Sequence, residues 1–199
     1  MKHFVVTIGC EYGSGGPDIG NMIAESMGIE YYDRDLVDKV VEKLNIDPEL
    51  IEEVDKGDNS KKYEFETSFG PRYANLTNRV IQTQFDVIRK FADNSSCIII
   101  GRCGNYILKD REDCLNIFIY APDDFKVQHI MEQKGVSEDE AKELIKYKNR
   151  MLGSRYEYMT GTKMSDCSLR DMMIDSSVLG LEKTAKYIMQ MIDLKFEHK

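Results

Sequence analysis

The stretch TIGCEYGSGGPDIG, residues 7–20, constrains this chain most strongly. It sets Gly13, Ser14, Gly15 and Gly16 between a β-branched run, Phe4-Val5-Val6-Thr7-Ile8, and a segment that turns helical from Pro17. The branched run reads as a buried strand. Proline is tolerated in the first turn of a helix, and Asp18 suits the positive end of its dipole. Ile19, Met22, Ile23 and Met27 then form an apolar stripe. A bend of this kind can aim several backbone N–H groups at one anion, assisted by the helix dipole. Glycines are required where the backbone wraps closely and φ turns positive. Tyr12, Gly13, Ser14, Gly15 and Gly16 are therefore the candidate phosphate-binding residues.

Set against the pattern GxxxxGK[ST], Gly15 takes the second glycine. Cys10 then stands at the first glycine, Gly16 at the lysine and Pro17 at the hydroxyl residue. The loop thus lacks the ammonium that normally reaches the outer phosphates and the hydroxyl that normally meets Mg²⁺. Glu11 and Asp18 add negative charge beside it, so any polyphosphate bound here needs cations from elsewhere. Rival motifs fit less well. GxSxG would need glycine at Tyr12, and GxGxxG from Gly13 would need glycine at Asp18. An ordinary glycine-rich βα turn is the plain alternative.

Along the rest of the chain, Glu30-Tyr31-Tyr32 reads as a short strand. Asp33 caps a helix with the stripe Leu36, Val37, Val40, Val41 and Leu44, and Asp47-Pro48 opens another short helix through Val54. Residues 55–74 carry no clean period and read as a long exposed loop, of a kind that is often functional. A helix follows over 76–93. Cys97-Ile98-Ile99-Ile100 and the run from Leu115 to Tyr120 are continuous apolar strands of the central parallel type. Ser137-Glu138-Asp139-Glu140 is a capping box that starts a long helix to about 158. Met172-Met173-Ile174 is a last strand, and residues 180–195 form a closing helix. Strands alternating with helices imply a parallel α/β sheet covered on both faces, within one domain over 1–199. Ligands of such sheets sit at the carboxyl ends of the strands, which puts the glycine loop, Asp33, Arg102 and the turn after Ile174 on one rim.

The formal net charge of -8 argues against nucleic-acid partners, because a phosphate backbone wants a basic face. A local arginine cluster can still hold a small anion. The five cysteines show neither CxxC pairing nor zinc spacing, and the three histidines are scattered. No metal-ligating set is assigned. There is no signal-like apolar segment and no run of membrane length, so a cytoplasmic protein with no membrane partner is expected.

Arg102 follows a central strand directly, where its fork would point into the crevice and match a phosphate or a base edge; an ordinary surface arginine is the plain alternative. Arg150 and Arg155 flank Gly153 in the basic stretch 146–163. A helix loosened at Gly153 would let both swing inward like a lid, with 137–165 as the lid region; a solvated helix face is the plain alternative. Asp33 reads either as a ligand for a substrate hydroxyl or arginine, or as an N-cap. Asp175 reads either as a ribose or arginine partner or as a turn residue. Cys10, beside a helix N-terminus, is a candidate for an acidified thiol, though no resolving partner supports a redox role.

Taken together, GSGG after the first strand, YYDRDLV from 31, IIIGRCGNYIL from 98, LNIFIYAP from 115 and MMIDSSVLGLEKTAKYI from 172 resemble the cytidylate kinase-like family, a branch of the P-loop nucleoside monophosphate kinases. The resemblance spans nearly the whole chain. It implies a three-layer fold with a five-stranded parallel sheet in the order 2-3-1-4-5 and a helical lid. It also implies ATP and Mg²⁺ as cofactors and a small nucleotide as acceptor. Gly13 to Gly16 would hold the ATP phosphates, Asp33 and Arg102 would face the acceptor, Arg150 and Arg155 would act from the lid, and Asp175 would support the base or ribose. Cys103 stands where true cytidylate kinases carry aspartate after Gly-Arg, so cytosine selectivity is not implied. The rival from another class is a catalytically silent nucleotide- or phosphate-binding regulator. Long helices at 76–93 and 137–158 offer surfaces for a second copy of the chain.

Overall fold

The computed structural model describes residues 3–33, 38 and 71–196. Its strands are β1 (Val5–Cys10), β2 (Glu30–Tyr32), β3 (Cys97–Ile100), β4 (Cys114–Tyr120) and β5 (Met172–Asp175). Its helices are α1 (Gly16–Met27), α2 (Pro71–Asn94), α3 (Gly104–Ile107), α4 (Asp123–Lys134), α5 (Glu138–Thr160), α6 (Ser176–Leu179) and α7 (Leu181–Phe196). The five strands form one sheet in the order β2-β3-β1-β4-β5, every neighbouring pair parallel. This is the order that the family resemblance implies.

The alternation along β1 decides what lies on each face of the sheet. Val6 and Ile8 join Ile98, Ile100, Leu115, Ile117 and Ile119 against α1 and α7, whose Ile19, Ile23, Ile188 and Ile192 complete the larger apolar core. On the opposite face, Val5, Cys97, Ile99 and Cys114 pack with Val87, Ile88 and Leu108 from α2 and the end of α3. A smaller cluster, Val127, Ile130, Ala141 and Ile145, holds α4 to α5. Burial of these branched side chains is the main stabilising term, at about 25 cal/mol per Å² removed from water.

The capping box forms as read. The Ser137 side chain accepts the Glu140 N–H at 3.4 Å, and the Glu140 carboxylate accepts the Ser137 N–H at 2.9 Å. Two expectations need correction. The end of the supposed 55–74 loop, residues 71–74, is already helical, because α2 begins at Pro71, a residue suited to a helix's first position. Nor does α5 loosen at Gly153. The helix runs without a break to Thr160 and ends on Gly161 in the left-handed region, so it is one straight-through element. The helices expected over 33–44 and 47–54, and the remainder of the 55–74 loop, lie outside the described residues. Among the described residues, no helix is long and apolar enough to cross a membrane.

Candidate functional site

Between β1 and α1 the chain makes a tight bend. Gly13 and Gly15 sit at φ 91° and 78°, in the left-handed region that disfavours residues with a Cβ. Close packing adds a second demand. A Cβ on Gly15 would lie 2.3 Å from Leu181 Cδ2, and one on Gly13 would lie 3.0 Å from Lys126 Cβ. The Ser14 side chain turns inward and is buried, with its hydroxyl donating to the Glu11 carbonyl at 2.8 Å. The Ser14 carbonyl in turn accepts from the buried Ser176 hydroxyl at 2.7 Å. The Tyr12 N–H donates to Asn149 Oδ1 of α5 at 2.7 Å. The N–H groups of Gly13 and Gly15 donate to no backbone carbonyl among the described residues. They stand just ahead of α1, whose first N–H groups lack intrahelical acceptors by construction.

The position of the absent lysine has a steric explanation. A Cβ on Gly16 would meet Cys10 Cβ at 2.5 Å and Cys10 Sγ at 2.6 Å. A side chain at 16 is therefore incompatible with one at 10, and the two departures from GxxxxGK[ST] form one coupled exchange. Cys10 is not the acidified thiol its place beside a helix suggested. Although some of its surface is exposed, the thiol is enclosed by protein. Burial, reinforced by the Glu11 and Asp18 carboxylates, pushes its pKa up to about 12.

A different lysine approaches the loop. Lys126, in the first turn of α4, has a side chain only 8% exposed, and its Nζ pairs with Glu11 Oε2 and Asp123 Oδ1, each at 2.8 Å. Burial works against its charge, but the hydrogen bonds to Asp123 and Glu11 outweigh it and hold the pKa above the usual lysine value. The second carboxylate beside the loop, Asp18, lies 3.3 Å from His129 Nε2 of α4. Both acidic groups that threatened a bound polyphosphate thus have cationic or titratable partners.

The loop opens onto a cavity of about 410 Å³ at the carboxyl ends of β1, β3 and β4. Tyr12, Gly13 and Gly15 line its loop side, whereas Ser14 and Gly16 are buried behind the lining. Three arginines, Arg102, Arg155 and Arg170, line it from other directions. Arg102 lies in an unusual turn. Gly101, Arg102 and Cys103 all have positive φ, at 64°, 51° and 56°. Left-handed residues with a Cβ cost of order 1 kcal/mol each and gather at functional sites. Arg102 is buried and pairs with Asp38. Arg155 is also buried, and its Nη2 donates to Gln84 Oε1 of α2 at 3.1 Å. Asn105, on α3, donates to the Tyr156 hydroxyl at 2.9 Å and completes the floor.

Other sequence candidates stand apart from this cavity. Arg150 is exposed, with its guanidinium 5.9 Å from the Tyr147 ring centre. Five residues along a continuous helix turn the chain through about 500°, so Arg150 and Arg155 face different directions. Asp175 caps α6, accepting the Ser177 N–H at 2.9 Å and its hydroxyl at 2.6 Å, which is the turn-residue reading. Asp33 follows β2 directly and is not in the cavity lining. Sequence reasoning missed Lys126 and Arg170. Pro122-Asp123-Asp124 offered a helix-start signal for Lys126, but no local pattern marks Arg170.

The comparisons agree with this geometry. Residues 5–178 match the sequence profile of the cytidylate kinase-like family. A cytidylate kinase of Sulfolobus acidocaldarius is 26% identical over 187 residues, 94% of this chain and 92% of that protein. Among solved structures, an uncharacterized protein from Eubacterium ventriosum superposes with a TM-score of 0.74 at 24% identity, covering 96% of this chain and 98% of its own. A shikimate kinase from Bacteroides thetaiotaomicron shares the fold at a TM-score of 0.52 and 12% identity, with 96% and 98% covered. The family match runs from the first strand through the final short helix turn, and the strand order agrees with it: this chain belongs to the cytidylate kinase-like family.

Proposed function

We propose that the protein is an ATP-dependent phosphotransferase whose acceptor is a small phosphorylated nucleoside, a nucleoside monophosphate. One observation supports this reading above the others. The bend, whose Gly13 and Gly15 N–H groups donate to no backbone carbonyl among the described residues, lines the same cavity as Arg102 and Arg155. Phosphoryl transfer needs little covalent help from the protein; it needs positioning and neutralisation of charge on the moving group.

The residues present suit that task. ATP supplies the phosphoryl group, and its Mg²⁺ neutralises the phosphate oxygens. Gly13, Gly15 and the start of α1 would hold the phosphates through N–H groups. Among the described residues, no group of three or more His, Cys, Asp or Glu forms a metal cage. Mg²⁺ commonly needs none, being held by substrate phosphates, water and one or two carboxylates. Glu11 and Asp18 are the carboxylates nearest the loop in the cavity lining. Arg155 would neutralise charge from α5, and Arg102 would orient the acceptor beneath β3. Arg150, Asp33 and Asp175 remain outside this working set. The fold and charge suit a cytoplasmic enzyme acting on small molecules, without nucleic-acid or membrane partners.

A second reading has one specific support. The Ser14 hydroxyl faces inward and Cys10 fills the space a lysine at 16 would need, as expected of a nucleotide-binding regulator without turnover. One assay separates the two. Purified protein is given ATP, Mg²⁺ and each of the common nucleoside monophosphates, and the assay is repeated with Arg102→Ala and Arg155→Ala. The enzyme reading expects diphosphate product from at least one acceptor and a fall of about 100-fold or more in either variant. Saturable ATP binding with no product from any acceptor supports the regulator.

A further inference from the structure

Arg170 precedes β5, and its side chain reaches across to β1. The guanidinium lies over two aromatic rings, 4.9 Å from the centre of Phe118 and 5.4 Å from that of Tyr156. Space for it is made by Gly9: a Cβ there would stand 3.0 Å from Arg170 Nη1 and 3.2 Å from Phe118. The base of the arginine is firmly held. The Asp171 N–H donates to the Asn116 carbonyl at 2.8 Å, and the Asn116 N–H donates to the Asp171 carboxylate at 2.7 Å.

The head of the side chain is not satisfied. Its Nη2 makes only a long contact, 3.5 Å to the Met164 carbonyl. The Nε and Nη1 atoms are buried with no hydrogen-bond partner among the described residues. Buried, unpaired charged donors are costly, and contact with aromatic faces offsets only part of that cost. Burial lowers the Arg170 pKa from the usual arginine value, in the same sense. No carboxylate approaches within ion-pair distance of Arg170 among the described residues, whereas Arg102 has Asp38. A guanidinium built into a cavity wall, seated by a glycine and left with buried donors, fits an oxyanion delivered by a ligand.

We propose that Arg170 is a substrate-binding residue that recognises the phosphate monoester of the acceptor. This rests on the acceptor reading given under Proposed function and adds the residue that selects a phosphorylated nucleoside over the bare nucleoside. Arg170 shares the cavity lining with Thr7 and Gly9 of β1 and with Tyr12, Gly13 and Gly15 of the glycine bend.

The test is calorimetric titration of the full chain with the monophosphates of cytidine, uridine, adenosine and guanosine, each against its nucleoside, and separately with MgATP. In the unaltered protein, at least one monophosphate should bind about tenfold or more tightly than its nucleoside. Arg170→Met should erase that preference while leaving MgATP affinity within about twofold. Gly9→Ala keeps the charge but intrudes on its seat, and should reduce the preference by less. Circular dichroism of both variants checks that they fold. Should Arg170→Met fail to fold, Arg170→Lys, which keeps the charge and loses the fork, is read in its place and should cut the preference severalfold. The proposal is overturned if no monophosphate is preferred in the unaltered protein. It is equally overturned if a folded Arg170 variant keeps the preference, or loses MgATP affinity instead. Failure of the kinase reading is seen separately, as absence of MgATP binding or turnover in the unaltered protein.

Discussion

Val6, Ile8 and Cys10 leave one face of β1; Val5, Thr7 and Gly9 leave the other. On the first face the side chains are apolar to the tip of the strand, and even Cys10 packs against the larger core. On the second face they change character from base to tip. Val5 is core, Thr7 is buried but donates to Asn116 Oδ1 at 2.7 Å, and Gly9 gives its space to Arg170. One strand thus carries a face that is structural up to Cys10, which reaches the cavity at its tip, and a face that passes from structure to ligand chemistry within five residues. The difference lies in the neighbours: α1 and α7 cover the first face along its length, while the cavity opens over the carboxyl end of the second.

The largest expected effect is on the structural face. Ile8→Ala removes a fully buried side chain between β1 and α1, and should destabilise the protein by about 2–5 kcal/mol in urea unfolding. MgATP affinity of the folded fraction should stay within about twofold. A large loss of affinity in folded protein would break the proposed separation of the two faces.

The next effect concerns the coupled pair at the loop. Gly16→Lys alone should destabilise by roughly 1–3 kcal/mol, because its Cβ meets the Cys10 side chain. Cys10→Gly with Gly16→Lys should recover most of that loss by thermal unfolding. If the single variant is as stable as the parent, the steric account of the missing lysine is wrong.

A smaller effect should follow pH. Burial raises the thiol pKa of Cys10, Cys97 and Cys114 from 9.0 to about 12. For a group whose folded pKa is raised, stability is full below the unfolded value and declines as pH climbs through the folded one. Urea midpoints should therefore fall from about pH 9 upward. Replacing Cys97 and Cys114 with alanine should flatten the fall. At pH 8, iodoacetamide should modify exposed Cys167 before these three.

The smallest effect is at Asp175. Asp175→Ala should cost about 1 kcal/mol through the lost cap on α6, with the acceptor KM unchanged. A raised KM at unchanged stability would instead restore the substrate role read from the sequence.

How much was legible depended on sequence distance. β1, the glycine bend, Cys97–Ile100 and the capping box at Ser137 are local signals, because apolar runs, glycines and caps act on their own neighbours. The strand order came from the family resemblance. What stayed hidden was long-range. Gly9 and Arg170 meet across most of the chain, and nothing near either residue records the meeting. Lys126 was missed because its helix reads weakly. Arg150 and Arg155 were grouped because Gly153 suggested a hinge; instead, helix packing continues through that glycine, and helical geometry sends the two side chains apart.

Calorimetric titration of the unaltered protein with ATP and Mg²⁺ tests most directly whether amide groups and distant arginines suffice without the loop ammonium. One saturable site per chain is expected, weakened about tenfold or more by Arg155→Met. A correctly folded protein that shows no saturable heat with millimolar ATP, or whose affinity is indifferent to Arg155→Met, contradicts the account.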